Sequence, residues 1–101
     1  MSTIVHLSIF PVDKGEHLSP YVARAVRIIR ESGLSYHLGA MGTTIEGEWP
    51  AVMDVVHRCF VELQKDCGRI IVNLKADYKE DADNRMAGKV ASVKEKMARE
   101  E

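Results

Sequence analysis

The segment from Tyr36 to Pro50 constrains the fold of this chain most strongly. It contains two short extended runs on either side of Gly42, and the second run opens with β-branched residues that suit a pleated surface. Glycine accepts the positive φ of a tight turn, so we predict a β-hairpin that turns at Gly42. Pro50 then predicts the start of a helix, because proline is favoured at a first helical position.

Two further strands are predicted from alternating hydrophobicity, one at each end of the chain. In the first strand, Ile4 to Phe10, one face is apolar (Val5, Leu7, Ile9) and the other is mixed (Ile4, His6, Ser8, Phe10). In the last strand, Arg69 to Asp77, the predicted core face carries Ile70, Val72, Leu74 and Ala76, and the opposite face carries Ile71, Asn73, Lys75 and Asp77.

Three helices are predicted from apolar residues that recur every three or four positions. The first begins with Ser19 as N-cap and Pro20 at the first helical position, and Gly33 ends it. The second runs from Pro50 to Gly68 with the apolar positions Val52, Val56, Cys59, Phe60 and Leu63. The third follows a charged loop, Tyr78 to Asp83, and has a narrow apolar stripe of Met86, Val90, Val93 and Met97.

The predicted order is therefore β-α-β-β-α-β with an extra C-terminal helix. This order indicates an α+β, ferredoxin-like sandwich, in which two helices cover one face of a four-stranded antiparallel sheet. At 101 residues the chain is predicted to be a single domain, 1–101. The other sheet face stays uncovered in one subunit, and its apolar residues, Ile4, Phe10 and Ile71, predict a partner surface.

Composition and charge exclude several classes of function. The formal net charge is −1, so no basic patch for nucleic acid is expected. The chain has no leader pattern and no run near the roughly 20 apolar residues of a membrane span, so we expect a cytoplasmic protein without a membrane partner. Cys59 and Cys67 are predicted in one helix, about 12 Å apart, too far for a disulfide. The scattered histidines and cysteines predict no metal site.

With these segments in place, the chain resembles the small thiamine-binding protein family, formerly grouped as uncharacterised. The resemblance is carried by an ordered set of segments: Leu7 to Pro11, Ser32 to Tyr36, Gly42 to Glu48, Lys75 to Lys79 and Lys89 to Val93. It implies a ferredoxin-like subunit that pairs through its open sheet face into a homodimer or a dimer of dimers, a homotetramer. It also implies a non-catalytic protein that needs no cofactor and holds thiamine or its aminopyrimidine moiety as a small-molecule ligand.

Thiamine combines a cationic thiazolium with an aminopyrimidine, so a site for it needs negative charge, an aromatic surface and hydrogen-bonding groups. Glu46 and Asp77 are the candidate carboxylates. Thr44 and Glu46 are two residues apart and so share a strand face. The candidate ligand-binding residues are Ser8, Phe10, Tyr36, Thr43, Thr44, Glu46, Asn73 and Asp77, and Trp49 is a further stacking candidate.

Each candidate also has a purely structural interpretation. In this interpretation Trp49 packs at a helix start, Phe10 fills a subunit interface, and Tyr36 is an ordinary strand residue. Asp77 organises the following loop, and Glu46 is a solvated charge on an edge strand.

Two other functions compete with ligand binding. An acylphosphatase-like or small monooxygenase-like enzyme is disfavoured, because the loop after the first strand has no arginine and no nucleophile has a base at a recognisable spacing. A regulatory or structural module that self-associates through its sheet face remains the alternative.

Overall fold

The computed structural model describes residues 1–100. The elements are β1 (Ser2–Pro11), α1 (Ser19–Glu31), β2 (Ser35–Leu38), β3 (Thr43–Gly47), α2 (Trp49–Gln64), β4 (Ile70–Lys79) and α3 (Arg85–Glu100). The strands form one antiparallel sheet in the order β2-β3-β1-β4. The predicted α+β fold, a β-α-β-β-α-β unit with a C-terminal helix, is confirmed.

The register of the strands assigns every side chain to a face. Residues directly opposite each other in an antiparallel pair share a face, and faces alternate along each strand. Val5 pairs with Ile45 on β3 and with Ala76 on β4, on the face that α1 and α2 cover. The predicted division of β1 into an apolar inner face and a mixed outer face is therefore confirmed. We call the outer face the open face.

The core lies between the sheet and the helix pair, and it is centred on β1 and α2. Its buried side chains are Val5, Leu7, Ile9, Ala25, Ile29, Ile45, Val52, Val55, Val56, Cys59, Leu63 and Cys67. Arg24 of α1 links the two helices, because its guanidinium donates to the carbonyl oxygen of Glu62 in α2 at 2.8 Å. It also donates to both carboxylate oxygens of Asp66, just after α2, at 3.0 and 2.9 Å.

The inner face of β4 differs from the prediction. Its side chains lie at the expected register, but Val72 and Leu74 are 40% and 38% exposed rather than part of the core, and Ala76 is also exposed. The reason is the position of β4 at the sheet edge, where the helix pair covers little beyond Ile70. β4 therefore offers an apolar surface and an outer edge without a strand partner within residues 1–100.

Several local expectations are also corrected. Ser19 is not an N-cap: α1 begins at Ser19, Leu18 precedes it, and no side chain caps the helix end. Cys67 is not in the same helix as Cys59, since α2 ends at Gln64. Both cysteines are nevertheless free and buried, and burial raises the pKa of Cys59 to about 11, so its thiol stays protonated.

Gly42 is needed for a reason that the sequence did not reveal. The loop 39–42 joins β2 to β3. The predicted positive φ at Gly42 is wrong, since within residues 1–100 only Gly15 and Gly33 are glycines with positive φ. A Cβ at Gly42 would lie 2.6 Å from Nε2 of His6 and 2.8 Å from the carbonyl oxygen of Leu7. The absence of a side chain therefore allows the hairpin loop to approach β1 and the ring of His6.

We expect Gly42→Ala to destabilise the protein by about 1 to 3 kcal/mol, because the new methyl group overlaps a backbone carbonyl that has little room to move. Gly88→Ala is the matched control: it meets nothing within 4 Å and should be neutral or stabilising by up to about 1 kcal/mol, since alanine favours a helix. Urea unfolding of both variants measures the difference, and equal stabilities would contradict this role of Gly42.

Candidate functional site

The start of α3 is attached to the open face by the carboxylate of Glu46, a β3 residue that is 7% exposed. Oε2 of Glu46 accepts the backbone N–H of Arg85 at 2.7 Å, and Oε1 accepts that of Met86 at 3.0 Å. The first N–H groups of a helix have no partner within it, so this carboxylate satisfies two of them and also complements the helix dipole. The hydroxyl of Ser2 donates to the same carboxylate.

The electrostatics of Glu46 follow from these contacts. Burial alone raises the pKa of a carboxyl group, but here the hydrogen bonds from Ser2, Met86 and Arg85, together with the charge of Arg85, outweigh burial. The pKa of Glu46 therefore lies below its usual value, and the side chain is ionised at neutral pH.

Arg85 makes a second attachment, to the ends of β1 and β4. Its side chain is 9% exposed and donates to Oδ2 of Asp77 at 2.9 Å and to the carbonyl oxygen of Ser2 at 2.8 Å. Lys89, one turn further along α3, donates to the same Asp77 oxygen at 2.6 Å. The hydrogen bonds from Lys89 and Arg85 lower the pKa of Asp77, which is thus ionised and already neutralised by two cations.

A cleft of about 880 Å³ lies between the open face and α3, and we call it the α3 cleft. The sheet contributes Ile4, His6, Tyr36, His37, Thr44, Lys75 and Asp77. The helix contributes Met86, Ala87, Lys89, Val90, Ala91 and Lys94. This volume is within the range of small-molecule sites, so the cleft is the candidate ligand site.

One row of polar residues crosses the floor of the α3 cleft. The register places one residue from each strand directly opposite its neighbour, in the order His37, Thr44, His6 and Lys75. Nδ1 of His6 lies 3.4 Å from Oγ1 of Thr44. We call these four residues the polar row; it offers two imidazoles, a hydroxyl and an ammonium group to one ligand.

The structure distributes the predicted site residues over several places. Thr44 and Asp77 line the α3 cleft from the open face. Tyr36 borders the cleft, but it pairs with Ile45 on the inner face and its side chain packs against the core. Ser8, Phe10 and Asn73 share the open face but lie further along the strands, outside the cleft. Thr43 is adjacent to Thr44 in β3, so its side chain is on the inner face of the sheet, where it is 4% exposed.

Three interpretations of single residues need correction. Glu46 is a buried cap of α3 rather than a solvated edge charge. Asp77 binds the side chains of α3 rather than the amides of its own loop. Trp49 begins α2 and is 47% exposed, outside the α3 cleft.

The sequence prediction missed the other half of the site. His6 and Lys75 were placed on the correct face, but their alignment with His37 depends on the register of three strand pairs. The α3 wall was missed because this helix is attached through Glu46, 39 residues away from Arg85 in sequence. The apolar stripe of α3 was the one sequence pattern which indicated that this helix packs against another part of the protein.

Fold and site together define a ferredoxin-like protein with a ligand-sized cleft beneath a C-terminal helix. The model of the family described as thiamine-binding protein matches residues 5–94 of this chain. The chain belongs to this family. Within residues 1–100, no helix has the length and apolar character needed to cross a membrane.

Relatives extend over the full chain. A UPF0045 protein of Mycobacterium bovis is 35% identical over 102 residues, covering all of both chains. A UPF0045 protein of Methanothermobacter thermautotrophicus is 38% identical over 82 residues, which is 79% of this chain and 83% of the relative.

Solved structures show the same fold. A hypothetical protein of Methanocaldococcus jannaschii superposes with a TM-score of 0.86 at 26% identity, covering 93% of this chain and 97% of that one. A Thermotoga maritima protein, described provisionally as a thiamine biosynthesis/salvage protein, has a TM-score of 0.82 at 27% identity, with coverages of 92% and 99%.

We expect Glu46→Ala to release the start of α3, at a cost of about 1 to 3 kcal/mol, because two helix amides and the Ser2 hydroxyl lose their acceptor. Hydrogen exchange should show faster exchange of the α3 amides. Glu48→Ala, which removes an exposed carboxylate two residues away, is the control. Equal protection of α3 in the two variants would contradict the capping role.

The same contacts predict a pH dependence of stability. Because the pKa of Glu46 is lower in the folded protein, its stabilising effect is complete above the unfolded value of about 4.3 and is lost as the pH falls through the folded value. Acid should therefore reduce the protection of α3 in the wild type, whereas in Glu46→Ala this acid-dependent loss should be smaller. Identical acid profiles would contradict this assignment.

Proposed function

We propose that this protein binds thiamine, or its aminopyrimidine moiety, reversibly and without chemistry in the α3 cleft. The observation that carries the proposal is the polar row on the floor of a ligand-sized cleft, in a member of the thiamine-binding protein family. The provisional link of the Thermotoga maritima neighbour to thiamine biosynthesis or salvage supports the same ligand class.

The chemistry of the cleft fits an aminopyrimidine. The ring nitrogens and the amine of this group need donors and acceptors, which Thr44 and His37 supply. Its ring needs an apolar surface, which Ile4, Met86 and Val90 supply. The aminopyrimidine thus has complementary groups on both walls of the cleft.

The fit to the thiazolium cation is weaker. Glu46 is occupied by the amides of α3, and Asp77 is occupied by Arg85 and Lys89. Neither carboxylate is available without breaking the attachment of α3. The cleft therefore supports recognition of the pyrimidine end more strongly than recognition of the thiazolium end.

Binding without chemistry is supported by the geometry of the hydroxyl and imidazole pair. Thr44 and His6 lie 3.4 Å apart, a loose contact, and within residues 1–100 no carboxylate hydrogen-bonds to the His6 ring to orient it. A nucleophile usually needs both a close base and a group that orients the base.

We also propose that the protein self-associates into a homodimer or a dimer of dimers. Only the first turn of α3 is partly buried, and its apolar stripe continues outward with Val90, Val93 and Met97 at 53%, 58% and 58% exposure. The edge strand β4 exposes Val72 and Leu74 as well, on the opposite face of the sheet, which gives the chain a second exposed apolar surface. Such exposed apolar surface on a small chain favours burial against a second copy of the chain. The same observation favours the alternative function, a self-associating interaction module.

The ligand proposal predicts that Thr44→Val weakens binding of thiamine or hydroxymethylpyrimidine about fivefold, because one hydrogen bond of about 1 kcal/mol is lost. Thr43→Val is the matched control, since the same change one residue away lies on the opposite face. Calorimetry on protein refolded free of co-purified ligand measures both. Absence of binding at millimolar ligand would leave the interaction module as the better account.

Self-association predicts a particle larger than the 11.3 kDa chain in light scattering at micromolar concentration. Val93→Glu should reduce the particle mass, because a charge on the apolar stripe opposes its burial. Lys96→Glu, on the same helix but outside the stripe, should leave the mass unchanged. A wild-type particle of 11.3 kDa would contradict the proposal.

A further inference from the structure

The charges of the α3 cleft differ in sign from those of the whole chain. The chain carries a formal net charge of −1. The cleft is lined by three lysines, Lys75, Lys89 and Lys94, against one acid, Asp77, which leaves a formal charge of +2 with both histidines neutral. Positive charge is therefore concentrated at the candidate site of an acidic protein.

Two of these lysines lack an anionic partner. Lys89 is paired with Asp77 at 2.6 Å, whereas neither Lys75 nor Lys94 forms a salt bridge with any residue in 1–100. Lys75 belongs to the sheet floor and Lys94 to the helix wall, so the two ammonium groups belong to opposite sides of the same cleft.

The polar row adds further hydrogen-bond donors next to Lys75. His6 is directly opposite Lys75 on the neighbouring strand, and Thr44 follows on the next strand. Adjacent strands are about 4.8 Å apart, so side chains in one row can reach different oxygens of a single tetrahedral anion. Hydrogen bonds to an ionised acceptor are shorter and roughly twice as strong as neutral ones.

We propose that Lys75 and His6, at one end of the polar row, form with Lys94 an anion subsite that holds the phosphate group of a phosphorylated ligand. This inference deepens the proposed function and rests on it: the ligand class becomes a phosphate ester of thiamine or of hydroxymethylpyrimidine. The pyrimidine then contacts Met86 and Val90 and keeps Thr44 and His37 as hydrogen-bonding partners. The phosphate contacts Lys75, His6 and Lys94. The excess positive charge of the cleft disfavours the thiazolium cation. In this arrangement the same charge attracts the phosphate group.

Calorimetry with the full chain at fixed ionic strength tests the subsite. The probes are thiamine, thiamine monophosphate, hydroxymethylpyrimidine, its phosphate, and inorganic phosphate alone. We expect each ester to bind about tenfold more tightly than its unphosphorylated parent, as expected for one charge-assisted contact. This preference should shrink as salt is raised, because partly exposed charges are screened.

Lys75→Gln should remove most of the preference for phosphate esters, because it should weaken binding of the esters about tenfold more than binding of their unphosphorylated parents. Lys75→Arg keeps the charge and should retain the preference for esters. Lys96→Gln is the matched control: it removes the same charge from α3 outside the cleft, where Lys96 donates to Ser92 at 3.2 Å. Circular dichroism confirms that the variants are folded.

The outcomes separate the subsite from the proposed function. Equal affinity for the esters and their parents overturns the subsite and leaves thiamine binding standing. Binding of inorganic phosphate that depends on Lys75, without binding of any thiamine compound, supports the subsite and overturns thiamine binding. Absence of binding for all five probes overturns both. A preference for esters that Lys96→Gln reduces as much as Lys75→Gln overturns the subsite, since it would reflect overall charge.

Discussion

The attachment of α3 to the sheet by Glu46 is the interaction on which the candidate site depends. One buried carboxylate on β3 accepts the two N-terminal amides of α3 and the hydroxyl of Ser2. Beyond its first turn, α3 is exposed along its whole described length, so its own packing contributes little to its position. Together with the contacts of Arg85 and Lys89 to Asp77, this attachment holds α3 in place as the second wall of the cleft.

The same attachment determines the charge of the cleft. Glu46 and Asp77 are the acids of the open face nearest to α3. Both accept hydrogen bonds from that helix and so hold it in place. The lysines that project into the cleft are left in excess. Structural use of the acids thus supports the proposal that the site takes a neutral or anionic group rather than a cation.

The sequence predicted the parts of the fold that depend on local pattern. Alternation in β1 assigned each of its side chains to the correct face, and helical periodicity located α1 and α2. The inner residues of β4 show the limit of this approach: their face was right, but their burial depends on how far the helix pair extends across the sheet, which is a tertiary property. Gly42 shows the same limit, since its neighbour His6 lies on another strand.

The candidate site was predictable only in part. Thr44 and Asp77 were identified from chemistry and strand position, and they line the cleft, whereas the side chain of Tyr36 packs against the core on the opposite face. The role of Glu46 was not predicted, because a carboxylate that caps a helix 39 residues later in the chain gives no local sequence pattern. The polar row requires the register of all four strands, and no pattern within one strand contains it.

The measurement that tests the central claim most directly is a titration of the ¹⁵N-labelled protein with hydroxymethylpyrimidine, followed by amide chemical shifts. The account predicts the largest changes on both walls of the α3 cleft, at Thr44 and His6 on the sheet and at Met86 and Val90 on the helix. Changes confined to the apolar crevice between α1 and the hairpin loop, around Leu18, Val22 and Met41, would contradict it.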